Sequence, residues 1–267
     1  MDRTDEVWTA DLATGITVSW VASGDPTGVA VVLVHAWAES RRAFDRLRAA
    51  LPGSVHALAL DQRGHGDADR PAGGYSLAEA AADVAAFLTA VGLTRAVLLG
   101  ASSGGYVAQQ VAVDHPARVS GLVLVGAPRS LQGRPSFADE VDRLRDPVDP
   151  SWVRASLAWF PLHQPVPDWY LADRVADGAR VPAHVWRAAL HGLCDAVPPT
   201  ESGRITAPTL VIRGAEDPLL PAAEEEELCA AVPGARLLTY PDTGHLVLWE
   251  QPDRLAADLT AFVHGSA

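Results

Sequence analysis

Apolar positions along the chain follow two alternating rhythms. Six short runs have strand length and little polar interruption: Val29 to Val34, Val55 to Leu60, Ala96 to Leu99, Gly121 to Val125, Thr209 to Ile212 and Arg236 to Tyr240. Longer Ala- and Leu-rich amphipathic stretches separate them, at Arg41 to Ala50, Leu77 to Val91, Ser103 to Val113, Ala222 to Ala231 and Asp253 to Val263. Strand-length runs alternating with helical periods predict β-α-β units joined by right-handed crossovers, hence a mostly parallel sheet flanked by helices. Ahead of them, Val7 to Ala10 and Ile16 to Val21 flank Thr14-Gly15, which predicts an antiparallel hairpin on the sheet edge.

The alternation stops after Val125 and resumes at Thr209. The intervening residues 129–200 are rich in proline, hold four of the eight tryptophans, and contain helical periods at Pro150 to Leu157 and Val181 to Leu193. They are expected to form a helical cap inserted into a core made of residues 1–128 and 201–267. A chain of 267 residues suits one α/β catalytic unit with such an insertion. The short acidic run Glu224 to Glu227 reads as the solvated first turns of a helix.

Charge narrows the function classes. With 33 acidic against 21 basic residues and a net charge of −12, attraction to nucleic acid or an anionic membrane is not expected. Cys194 and Cys229 are too few for a disulfide framework, and the N-terminal stretch Met1 to Trp8 is charged without an apolar signal segment. No apolar run reaches membrane-spanning length. The expectation is a soluble, cytoplasmic enzyme, monomeric or homodimeric, acting on a small molecule.

The chemistry begins where Ala96-Val97-Leu98-Leu99 runs into Gly100-Ala101-Ser102-Ser103-Gly104-Gly105 and then a helix. Gly-x-Ser-x-Gly in a strand-turn-helix context presents the serine at a helix N-terminus, where N–H groups and the helix dipole favour developing negative charge. Ser102 is therefore the candidate nucleophile. A serine hydroxyl is weak at neutral pH and needs an imidazole and an orienting carboxylate, here in the order Ser, acid, His. His245 follows the strand ending at Tyr240, and Asp217 follows the strand Thr209 to Ile212, with Glu216 and Asp242 as competing acids. One strand earlier, Gly126-Ala127-Pro128 offers no carboxylate.

The turn His35-Ala36-Trp37-Ala38-Glu39-Ser40 would bring backbone amides beside Ser102, so the amides of Trp37 and Ser103 are the candidate oxyanion donors. The dense loop Asp61 to Pro71 is assigned to structure, fixed by internal ion pairs and glycine turns, with His65 a hydrogen-bonded loop residue. Candidate substrate-binding residues are Trp37, Trp152, Trp159, Trp186 and Leu246; Trp169, Phe160 and Tyr170 share the same aromatic-rich region, which suits a bulky apolar ester or lactone. The alternative is that the cap tryptophans only hold the cap to the body. His184, His191, Cys194 and Asp195 form a weak metal-like constellation on one predicted helix, and neither a metal nor a cofactor is expected.

Taken together, His35-Ala36-Trp37, Asp61-Gln62-Arg63-Gly64-His65-Gly66, the Ser102 turn, Gly214-Ala215-Glu216-Asp217-Pro218 and Thr243-Gly244-His245 resemble the α/β-hydrolase superfamily over nearly the whole chain. The resemblance implies an eight-stranded sheet, a lid after the sixth strand, and a Ser102–Asp217–His245 triad. Three positions depart from the usual pattern: Ala36 stands where glycine is usual, Ala101 where histidine is frequent, and Ser103 where methionine is frequent. Ser102 argues against members of the superfamily that use an Asp nucleophile. The resemblance also implies two other readings, a cofactor-independent oxygenase or C–C lyase using the same pocket, and a non-catalytic ligand receptor.

Overall fold

A computed structural model describes residues 6–265; Met1 to Asp5 of the charged N-terminal stretch lie outside the described residues. Eight strands form one sheet: β1 Trp8–Asp11, β2 Thr17–Ser23, β3 Val29–Val34, β4 Val55–Leu60, β5 Ala96–Ala101, β6 Val119–Val125, β7 Thr209–Gly214 and β8 Arg236–Tyr240. Their order across the sheet is β1-β2-β4-β3-β5-β6-β7-β8. The hairpin β1–β2 and the β2–β4 pair are antiparallel, and every pair from β4 to β8 is parallel.

The near-continuous apolar runs arise because both faces of the central strands are buried. Val32, Val34, Leu58, Leu60 and Leu98 face one layer, with α2 (Leu77–Ala90) and α3 (Ser103–Asp114) packed on it. Val31, Leu33, Ala57, Ala59 and Leu99 face the other layer, where Leu47 of α1 (Asp45–Ala50) and Leu255 and Leu259 of the C-terminal helix Pro252–Val263 lie. Ser76 and Glu79 close a capping box on α2, each satisfying a backbone N–H of the other. The stretch expected as one helix from Arg41 starts instead as a 3-10 turn, Arg41–Phe44, before α1.

Between β6 and β7 lies an inserted helical region: α4 Ala138–Asp142, α5 Pro150–Ser156, α6 Asp168–Arg180, α7 Ala183–Cys194 and α8 Pro199–Ser202. It has its own apolar cluster, including Val141, Val153, Val175, Val185 and Trp186. Helix α6 has no counterpart among the sequence-predicted elements, for a physical reason. Its buried face is Tyr170, Arg174, Val175, Asp177 and Gly178, so a buried ion pair, Arg174 to Asp177 at 2.8 Å, stands where an apolar stripe would be sought. Asp177 also accepts the Ser40 hydroxyl at 2.6 Å, and the buried Tyr170 hydroxyl donates to the Ala43 carbonyl at 2.6 Å, pinning α6 to the core.

Two further expectations are corrected. The loop after β4 does turn on Gly64 and Gly66, both at positive φ, but its ion pairs reach outside it: Arg63 makes a two-point contact with Asp83 of α2 at 2.8 Å each, and Asp61 accepts the Arg41 amide at 2.7 Å as well as its guanidinium. The acidic run on α9 (Ala222–Ala231) is not uniformly solvated. Glu225 is 1% exposed, and its burial, with Asp217 nearby, pushes its carboxyl up to about 8. Among the described residues no helix is long and apolar enough to cross a membrane.

Candidate active site

Ser102 sits at φ +49° and ψ −123°, a backbone conformation that costs a non-glycine residue roughly 1–3 kcal/mol. Neighbouring glycines permit it. A Cβ at Gly100 would lie 2.4 Å from the Gly104 carbonyl oxygen, and one at Gly104 would lie 2.2 Å from the Val34 carbonyl oxygen. The sharp turn is locked by Ser102 N–H donating to Val125 O at 2.8 Å, which couples the start of α3 to the end of β6.

His245 lies in the loop between β8 and α10 (Val247–Glu250), and its Nε2 is 2.9 Å from Ser102 Oγ. Its Nδ1 is 2.7 Å from Asp217 Oδ2. With Nδ1–H directed at the carboxylate, Nε2 is left to accept the serine proton. Asp217 is itself fixed, since its Oδ1 accepts the amides of Leu219 at 2.8 Å and Leu220 at 3.1 Å. Burial works to raise its carboxyl, but the bond and charge of His245 together with those two amides hold it below the ordinary value. Glu216 and Asp242, the competing acids, are both exposed, and neither bonds His245.

Trp37 and Ser103, the two expected oxyanion donors, also meet beside Ser102. The Trp37 amide donates to Ser103 Oγ at 2.7 Å, so it is engaged by the neighbouring hydroxyl. The turn carrying it is braced by Glu39, whose carboxylate accepts from Ala36 N–H at 3.2 Å and from Trp249 Nε1–H at 2.9 Å. Burial raises the Glu39 carboxyl, opposed by the charge of Arg174.

A cavity of about 310 Å³ opens over Ser102 and His245. Trp37, Trp159, Trp186 and Leu246 line it, as do Phe137, Leu157, Phe160, Leu190 and Leu220. Phe137 stacks between Trp37 and Trp159, with centroids 6.0 and 4.4 Å away, and Phe160 stacks on the His245 ring at 5.5 Å and 23°. Trp152 stands one layer back, edge-on to Trp159 and Trp186 at 5.8 and 5.3 Å. Trp169 is exposed and Tyr170 is buried against the core, so the aromatic residues of the insertion divide between lining the cavity and fastening the helices. Phe137 and Leu157 were missed because the irregular segment around Phe137 has no period to read, and Leu157 closes a helix whose other side is exposed.

The metal-like constellation on α7 does not converge. His184 Nε2 is 3.3 Å from the Pro71 carbonyl and His191 pairs with Asp142 at 2.9 Å. Among the described residues no group of three or more His, Cys, Asp and Glu side chains is arranged to hold a metal ion. His65 bonds within its loop, Nδ1 to the Arg63 carbonyl at 2.8 Å.

A strained serine on a strand-to-helix turn, in reach of a carboxylate-bound histidine at the ends of parallel strands, defines a class. The alpha/beta hydrolase family model matches residues 31–258, and the chain belongs to that family. Among its relatives, it is 30% identical over 279 residues to a non-heme chloroperoxidase of Streptomyces lividans, covering 96% of this chain and 99% of that protein. It is 29% identical over 251 residues to a pimeloyl-acyl-carrier protein methyl ester esterase of Neisseria meningitidis serogroup B, covering 88% and 93%. Among solved structures, the esterase RhEst1 from Rhodococcus sp. ECU1013 superposes with a TM-score of 0.84 at 26% identity, covering 98% of this chain and 99% of that one.

Proposed function

We propose that this protein is a serine hydrolase that cleaves an ester or lactone of a small, hydrophobic or aromatic compound through an acyl-enzyme. The observation that carries the reading is the continuous hydrogen-bonded line from Ser102 Oγ through His245 to Asp217, with 2.9 and 2.7 Å spacings, at the floor of an apolar cavity. His245 takes the Ser102 proton, the serine oxygen adds to the carbonyl carbon, and the protonated His245 returns the proton to the leaving alkoxide. Water, deprotonated by the same histidine, then attacks the acyl carbon and releases Ser102 and the acid. Ser103 and Trp37 form the oxyanion hole. Asp217 holds the imidazole in the required tautomer. Residues 129–200 act as the cap and supply half of the residues that line the pocket, with Trp159, Trp186 and Leu246 beside Trp37 at the substrate and Trp152 supporting them.

The relatives named an esterase support ester cleavage, and the aromatic lining supports a bulky apolar substrate. The test is a panel of p-nitrophenyl esters, thioesters and lactones with Ser102→Ala as control. Turnover is expected to fall by about 10⁴ or more in the variant; activity within tenfold of wild type removes Ser102 from the mechanism. Oxygen uptake without ester turnover would move the reading to the oxygenase alternative, and failure of a fluorophosphonate to label Ser102 to the receptor.

A further inference from the structure

We propose that the side-chain hydroxyl of Ser103 is itself an oxyanion donor, held in place by the Trp37 amide. This inference rests on the reading of Ser102 as nucleophile and specifies how the neighbouring pair works. Ser103 is the first residue of α3, next to Ser102, and lines the cavity floor with it. Its Oγ accepts the Trp37 N–H at 2.7 Å, and among the described residues it donates to no acceptor. The hydroxyl proton is thus uncommitted, while the oxygen is fixed and polarised by a backbone donor from another element. Hydrogen bonds in such a chain strengthen one another.

Geometry decides how the charge is met. An oxyanion bonded to the Ser103 hydroxyl at about 2.7 Å, with a tetrahedral angle at Oγ, lies roughly 4.4 Å from the Trp37 nitrogen. That is beyond direct hydrogen bonding. The Trp37 amide therefore acts through the hydroxyl, in a relay from Trp37 N–H to Ser103 Oγ–H to the oxyanion, and the Ser103 backbone N–H at the start of α3 supplies the second direct bond. A larger side chain such as methionine at this position would leave the amide without that intermediary. No covalent bond is made or broken at Ser103; it donates a hydrogen bond that strengthens as the carbonyl oxygen gains charge.

Ser103→Ala, Ser103→Met and Ser103→Thr are compared for kcat and KM on the best ester from the panel, and for the rate of Ser102 labelling by a fluorophosphonate, whose oxygen gains charge in the same place. Ser103→Ala and Ser103→Met are expected to lower kcat and the labelling rate 10- to 100-fold with KM within threefold, because an oxyanion donor acts on the transition state. Ser103→Thr, which keeps the hydroxyl, is expected to recover most of the loss. A Ser103→Ala kcat within tenfold of wild type, any gain in rate, or a threonine variant as slow as alanine overturns the relay. If the unmutated protein neither turns over an ester nor is labelled at Ser102, the hydrolase reading itself falls; normal turnover with an indifferent Ser103→Ala sinks the relay alone.

Discussion

Two fully buried histidines, one at the start of the turn that carries Trp37 and one in the loop after β4, make the stability of this protein depend on pH. His35 and His65 are 0% and 5% exposed, with rings in edge contact at 5.3 Å. His35 donates Nδ1–H to the Ala36 carbonyl at 2.7 Å and accepts the Gln62 amide on Nε2 at 3.0 Å, an arrangement only the neutral ring supports. Burial lowers His35 from 6.5 to about 4, and burial with the neighbouring His35 lowers His65 to about 3. Because each folded value lies below the unfolded one, the unfolded chain takes up the proton first as pH falls. Stability is complete above pH 6.5 and is lost as pH falls through the window toward 4. Between pH 7 and 5 each histidine removes about 2 kcal/mol. Glu225 acts in the opposite sense: raised to about 8 from 4.5, it restores about 2 kcal/mol over the same interval, because the folded carboxyl holds a proton that the unfolded chain has released. Urea unfolding followed by tryptophan fluorescence at pH 7, 6 and 5 separates these contributions. His65→Gln should lose about 2 kcal/mol less than wild type between pH 7 and 5, and Glu225→Gln about 2 kcal/mol more. If either variant runs parallel to wild type within about 0.5 kcal/mol, the corresponding group does not titrate as its burial requires.

Three further outcomes are expected. Asp217→Asn should lower kcat about 10⁴-fold and His245→Ala about 10⁶-fold, because the carboxylate orients the base whereas the base moves the proton; the reverse order in steady-state kinetics would point to another acid. Phe160→Leu should lower kcat about 3- to 30-fold at nearly constant KM and Phe160→Tyr should not, since the ring stacked on His245 at 5.5 Å attracts the imidazolium formed during reaction; equal rates would make the stacking mere packing. Gly104→Ala sets a Cβ 2.2 Å from Val34 O and 2.4 Å from His35 O, both backbone, and should cost about 3 kcal/mol or more in denaturant melts along with most activity; a variant as stable and active as wild type would show that the turn can relax.

The sheet was legible because its central strands are buried on both sides, which leaves an uninterrupted apolar run such as Val29 to Val34. The positions of Ser102, Asp217 and His245 were legible for a related reason, since each follows a readable strand. Helix α6 was not, because Arg174 and Asp177 are buried as a pair and hydropathy carries no sign of the pairing. The contact between Trp37 and Ser103 was also out of reach. It joins residues 66 positions apart through one rotamer, and no pattern of residue types along the chain specifies a rotamer.

The carboxylate of Glu250, on the short helix after His245, accepts three backbone amides: His163 and Gln164 of the inserted region, at 2.8 Å each, and Gly244 of the histidine loop at 2.9 Å. What it grips is main chain. The segment can therefore exchange its side chain at 163 without losing this grip, while at 164 the Gln164 side chain adds a bond of its own to the Asp242 carbonyl at 2.7 Å. Changes at 163 are thus mechanically uncoupled from the position of His245, unlike changes at Phe160, whose ring lies on the imidazole. A library at position 163 should therefore leave turnover intact in most of its members, whereas one at position 160 should not.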